Sequence, residues 1–350
     1  MLRISARAIS ACSIAFLTAC SSAPSQNPAS LPNVQPRRPA ASRAKNWSNV
    51  YLINQPAKGA GYVAVYADGT SHVLYKITPG MTDASSITFD PTGNAYVYNG
   101  PSGTNCIIVF AAKTNKRLYT INGGTVALGP PAIDGQGNLY VPHFQQNRIF
   151  VYTSGTKKVM RKISAHISSP MSLAFDSKDN LYVLNAYKKI VEFAAGTNQP
   201  IRTIATGTTI AGMALDASDN LYALDIESKK EPSAIVVFPP KSSSPQTTIT
   251  EGLSSPHGIA FDSTGDLFVL NGNDITAYAP GTTTPYLTFD RNNAGSIAIA
   301  IDAANNLYVA SFRKGNFGVG SFKVYALGAN KLLRKVSRDV NIPIALSIGP

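Results

Sequence analysis

Charge is scarce in this sequence. Only 14% of its 350 residues are Asp, Glu, Lys or Arg, against about a quarter in an ordinary soluble domain. Aliphatic, aromatic and cysteine residues make up 44%, which excludes the weakly hydrophobic, highly charged chains that stay unfolded. Glutamate is scarcer still: Glu192, Glu227, Glu231 and Glu251 are the full set. Few carboxylates are therefore at hand for a calcium site, which wants six to eight oxygens. The three cysteines, Cys12, Cys20 and Cys106, are too few for a disulfide framework. No apolar run approaches the roughly 20 residues that a membrane-spanning helix needs.

Gly, Ser, Thr, Asn and Pro fill the space that charge leaves, and they recur in register. The block Phe89-Asp90-Pro91-Thr92-Gly93-Asn94 returns in altered form with its aspartate at Asp134, Asp176, Asp216, Asp262 and Asp302, at spacings of 44, 42, 40, 46 and 40 residues. That period is one four-stranded propeller blade and is too long for a helical repeat of about 34 residues. Each unit reads as a small apolar strand (Met171 to Phe175), an Asp-x-x-Gly/Asp-Asn turn, a second strand (Leu181 to Leu184), a third (Lys189 to Phe193) and a short fourth (Ile201 to Ile204). Aspartate suits the turn because its side chain bonds the backbone two residues on, while Gly and Asn tolerate positive φ. Between the units, an aromatic recurs in the second strand, as Tyr51, Tyr96, Tyr140, Tyr182, Tyr222, Phe268 and Tyr308. A large ring at one repeated position predicts packing between neighbouring blades.

A seventh unit is divided. Asn49 to Asn54 matches a second strand with no first strand before it, and Pro343 to Ile348 matches a first strand with no second after it. Pairing the two closes the ring and removes exposed edges. The sequence thus predicts an all-β, seven-bladed β-propeller of four-stranded antiparallel blades over residues 47–350. Cys106, in the apolar run Cys106 to Phe110, is expected to be a buried structural thiol.

The N-terminus reads differently. Arg3 and Arg7 precede a short apolar stretch from Ile9 to Leu17, as in an export signal. Leu17-Thr18-Ala19-Cys20 resembles the lipobox of bacterial lipoproteins, which implies a signal peptide over 1–19 and lipidation of Cys20. Residues 20–46, rich in Ser, Pro, Ala and Asn, read as a tether. Ser21 lacks the aspartate that marks inner-membrane retention, so the outer membrane is the expected address; a plain secretory signal is the alternative. The formal charge of +12 falls to +10 once Arg3 and Arg7 leave. In an exported protein such charge points to lipid headgroups, acidic glycans or acidic proteins rather than nucleic acid.

The repeat blocks, such as Pro256-His257-Gly258-Ile259-Ala260-Phe261-Asp262 followed by Asp266-Leu267-Phe268-Val269, resemble the NHL repeat family. That resemblance implies the propeller fold and is nearly silent on activity, since the family includes binding platforms, envelope proteins and some lyases. Ligands of such rings sit where the loops after the second and fourth strands gather. The residues closing the second strand are Asn54, Asn99, His143, Asn185, Asp225, Asn271 and Ser311, and His166 and His257 map to the same face; these nine form the candidate ligand face. Asn and Asp also suit a tight turn there, which makes His143 the most informative departure. Propellers similar to virginiamycin B lyase use a histidine with acidic metal ligands, and gluconolactonase-type propellers use a glutamate and an aspartate around calcium. Asp225 is the only acid at the ring position, so the acidic cluster of those enzymes is not visible. The reading is a monomeric, non-enzymatic scaffold with no metal or cofactor, binding a protein or glycan through loops 225–232 and 311–320; a metal-dependent lyase or lactonase is the alternative.

Overall fold

A computed structural model describes residues 49–56, 59–100, 105–122, 130–206, 208–225, 233–291, 295–312, 320–327 and 331–350. The expected signal, Cys20 and tether fall outside these residues. So do most of the two loops read as specificity elements, at 226–232 and 313–319.

The described residues form seven four-stranded antiparallel sheets and contain no helix long and apolar enough to cross a membrane. Six blades are built from four consecutive strands. The remaining one, here the first blade, pairs Pro343–Gly349 as its innermost strand with Asn49–Asn54, in the register Val50 opposite Ile348 and Leu52 opposite Leu346. The predicted closure from both termini is therefore present. The innermost strand of the third blade is reduced to Ala132–Ile133. Pro130 and Pro131 precede it and offer no N–H to a ladder.

Among the described residues there is no central core. Seven apolar clusters each lie between two neighbouring blades, and together they run the whole way round. The aromatic column belongs to these seams. Tyr51 meets Phe89 of the next blade edge-on at 4.7 Å, Tyr140 meets Phe175 at 4.9 Å and Tyr222 meets Phe261 at 4.8 Å. Such pairs add roughly 0.5–1.5 kcal/mol beyond area burial. Cys106 is buried in the second blade and unpaired with any other cysteine.

The repeated aspartate ties together the hairpin end of the six undivided blades. Asp302 Oδ1 accepts the backbone N–H of Ala304 at 2.9 Å and of Asn306 at 2.8 Å. Its Oδ2 accepts Asn306 Nδ2 at 2.9 Å and the Tyr308 hydroxyl at 3.0 Å. The same backbone and amide bonds recur at Asp90, Asp134, Asp176 and Asp216. The asparagine then reaches outward: Asn94, Asn138 and Asn180 each accept, through Oδ1, a backbone N–H from the turn between third and outermost strands. Aspartate, asparagine and tyrosine thus join three strands and two turns.

Asp302→Ala removes four accepted bonds and strands the buried Tyr308 hydroxyl. Hydrogen bonds to a charged group contribute roughly 1.5–3 kcal/mol each and are not additive, so the expected cost is about 2–4 kcal/mol. Urea unfolding checks it; a loss within about 0.5 kcal/mol, the size of a neutral surface change, would show that the network is dispensable.

Candidate functional site

Antiparallel strands alternate direction, so the propeller has two unlike faces. The aspartate hairpins and the turns between third and outermost strands lie on one. The loops after the second strand and the crossovers between blades lie on the other, and that face carries the predicted ring of second-strand ends.

All seven ring residues are buried. Four of them are asparagines with a shared local task. Asn99 Oδ1 accepts the N–H groups of Thr82 at 2.8 Å and Asp83 at 3.0 Å, and its Nδ2 donates to Gly80 O and Thr82 Oγ1. Asn185 likewise accepts Ser168 N–H and donates to His166 O. Asn271 accepts Ser254 N–H and donates to Gly252 O, Asp274 Oδ1 and Thr276 Oγ1. Asn54 accepts Asn341 N–H and donates to Leu52 O. Every one of these amides fastens the crossover that enters its own blade, and Asn271 also holds Asp274 of the turn that follows it. The reason is polar satisfaction: a crossover packed on a sheet end has buried N–H and C=O groups with no ladder partner.

His143, Asp225 and Ser311 replace asparagine in alternate blades: the third, fifth and seventh. Asp225 pairs with Ile210 and Ala234 on either side, and its crossover is short, bonded through Ile210 N–H to Tyr187 O at 2.6 Å. Ser311 lies between Ser296 and Ser321 in a three-strand row of buried serines.

His143 is the outlier. It is 4% exposed, and neither ring nitrogen has a hydrogen-bond partner. Its ring packs on Phe150 at 4.4 Å between centroids, and Arg148 lies opposite it on the neighbouring strand. Desolvation, with a smaller push from the Arg148 charge, lowers its pKa from 6.5 to about 4. The result is a neutral imidazole with one free donor and one free acceptor.

The other predicted histidines are not gathered round it. His257, three blades away, places Nδ1 at 3.0 Å from Ser255 O and Nε2 at 2.8 Å from Ser296 O, on the seam between sixth and seventh blades. His166 is exposed at φ 61° in the crossover that Asn185 holds. Among the described residues no group of three His, Cys, Asp or Glu is placed to share a metal ion. The two described glutamates are committed elsewhere: Glu192 is buried against Arg202, at the outer edge of the fourth blade, and Glu251 accepts the Thr284 hydroxyl. Glu227 and Glu231 lie outside the described residues. The donor set of a metal-dependent lyase or lactonase is therefore not met by the described residues.

No protein-family model matches the sequence. Among curated proteins the chain is similar to lactonase drp35 of Staphylococcus aureus, strains USA300 and COL included, with 23% identity over 217 residues. The match covers 56% of this chain and 66% of the relative, so the chain spans just under two thirds of that protein's length. Among solved structures, dihydro-heme d1 dehydrogenase NirN in complex with DHE matches with a TM-score of 0.61 and 9% identity, covering 93% of this chain and 83% of that one. At that identity the likeness is one of fold. The chain is a seven-bladed β-propeller with distant similarity to a lactonase propeller.

His143 titrates below its unfolded value, so an unfolded chain takes up the proton first. Its burial therefore costs stability as pH falls from 6.5 towards about 4 and costs nothing above that window. His143→Asn is expected to reduce that acid loss and to be as stable as wild type at neutral pH, because four other blades carry asparagine there. Thermal unfolding across this range checks both, and an imidazole NMR signal titrating near 6.5 would overturn the assignment.

Proposed function

We propose that this chain is a binding scaffold of the cell envelope that takes a protein or acidic-glycan partner on its crossover face and catalyses no reaction. On this reading the propeller belongs with NHL-like repeats, works as a monomer and is held on the outer membrane through lipid on Cys20. The carrying observation is the division of the ring. Four asparagines are consumed in fastening crossovers, while His143 keeps two unpartnered nitrogens in the same circle. A rigid rim with one unspent polar group, bordered by loops of unequal length, suits recognition better than turnover.

A second reading, a metal-dependent lactonase-like enzyme with its site at the channel mouth, is favoured by the similarity to lactonase drp35. The described residues supply no ligand set for it, so no catalytic step follows from them.

Two measurements on the full-length protein separate these readings. Lactone hydrolysis is assayed with and without added calcium, and capture from envelope extract is compared between wild type, His143→Ala and Ser311→Ala. The scaffold reading expects no turnover above the uncatalysed rate and one retained partner that the ring variants lose while still unfolding in a single cooperative transition. Calcium-dependent hydrolysis lost in Asp225→Asn would replace it with the second reading.

A further inference from the structure

The outermost strands carry a pattern that their sequences alone do not reveal. In five blades the pairing of third and outermost strands slips by one residue. The slips fall at Val65/Tyr66, Val109/Phe110, Val151/Tyr152, Glu192/Phe193 and Val324/Tyr325. Each slip leaves one outer residue without a partner across the ladder: Leu74, Leu118, Met160, Ile201 and Leu333. All five are large and apolar, and their exposures are alike at 46%, 44%, 46%, 49% and 45%.

A bulge on an edge strand has a structural use, since it discourages pairing with another chain. That use does not call for a hydrophobic side chain; lysine would serve better. Five apolar residues at one repeated, solvent-facing position therefore need a second reason. Their arrangement supplies one. The blades concerned are the seventh, first, second, third and fourth, which are consecutive around the ring. The fifth and sixth have short outer strands, Thr247–Ile249 and Leu287–Phe289, without a slip.

The arc lies close to one face. Each bulge falls at the second or third residue of its outer strand, just past the turn that shares a face with the aspartate hairpins. Exposed cations stand beside it: Lys113, Lys116 and Arg117 in the second blade, Lys157 and Lys158 in the third, Lys331 in the seventh. Among the described residues of these turns Asp68 is the single acid. The hairpin aspartates sit inside the arc, where their own backbone and asparagines engage them. Asn49, where residues 1–48 join the ring, begins a second strand and so emerges on this same face.

We propose that this arc is a membrane-docking rim, seating the hairpin face on an anionic lipid surface. The apolar side chains enter the headgroup boundary and the flanking lysines and arginines pair with lipid phosphates, the division of labour of an interfacial amphipathic element. The proposal extends the lipid-anchor reading of Cys20, because a tether reaching this face brings the arc to the bilayer, but docking itself is a property of the propeller.

The test is hydrogen exchange on the full-length protein with vesicles of phosphatidylglycerol and phosphatidylethanolamine, or of phosphatidylcholine alone. Intact mass reports separately whether Cys20 carries lipid. Slower exchange confined to the starts of the outer strands at 117–119, 159–161 and 332–334, with anionic vesicles only and lost in Leu118→Glu/Met160→Glu/Leu333→Glu, is the expected result. These positions are exposed, so the variant is expected to keep its melting temperature; Leu118→Ser/Met160→Ser/Leu333→Ser is the fallback if it does not. No protection despite lipidated Cys20, protection on the crossover face, or concentration-dependent protection without vesicles, which would mean a second copy covers the arc, each overturns the proposal. Protection with an unlipidated Cys20 upholds docking and removes the anchor.

Discussion

A carboxylate in a tight turn carries more of this architecture than its size suggests. Five of the six hairpin aspartates accept two N–H groups of their own turn and one asparagine amide, and Asp90 and Asp302 a tyrosine hydroxyl as well. Asp262, followed by Asp266 in place of the asparagine, accepts the two N–H groups and the Thr264 hydroxyl. A single four-stranded blade cannot bury its apolar faces alone, and the next blade covers them. The aspartate fixes the end of the second strand, so the aromatic two residues beyond the turn stands at a defined height in the seam. Where the residue before the asparagine is Asp179, Asp219 or Asn305, a left-handed backbone turns its side chain towards the previous blade. There Asp179 accepts Gly135 N–H, Asp219 accepts Ser177 N–H and Asn305 accepts Ser263 N–H. Blade folding and blade stacking are set by one turn.

The divided blade tests that dependence, because it has no hairpin and no aspartate. Asn49 stands where the other blades have Asn94 or Asn306, and it donates to the main-chain oxygen of Pro350 at 2.6 Å while its Oδ1 accepts Asp68 N–H. Tyr51 donates to the same oxygen at 3.2 Å. The main-chain oxygen of Pro350 has taken the aspartate's place, and the asparagine and tyrosine keep theirs. Ring closure therefore reproduces the network, in addition to pairing two strands.

How much of this was legible in the sequence depends on whether a residue's task is local. The turn block and the aromatic column were readable, because Asp, Gly and Asn are demanded by the turn itself and the tyrosine follows at fixed distance. The innermost strand of the third blade is present but short, Ala132–Ile133, since Pro130 and Pro131 sit where a ladder needs donors. The asparagine ring was only half readable. Turn preference explains asparagine at a strand end, but three of these amides are used 17 residues upstream, on the crossover, and no local rule points there. His143 was visible as a departure from the column, whereas its missing partners and depressed pKa depend on Phe150 and Arg148 packed around it. The bulges were invisible. A slip is a relation between two strands, and Arg117-Leu118-Tyr119 reads as an ordinary edge strand until its register is known.

The two faces are constrained unequally, and that asymmetry bears on function. On the hairpin face six blades repeat the same aspartate turn, so variation is confined to side chains that point away from the network, which is where the five apolar bulge residues lie. On the crossover face the connections are free to differ once an amide holds their base, and the exceptions fall in alternate blades at His143, Asp225 and Ser311. Antiparallel alternation sends these two kinds of freedom to opposite sides of the ring. A surface that seats the molecule and a surface that selects a partner then do not compete for residues. A propeller held by its hairpin face would present His143 and the unequal loops away from whatever holds it.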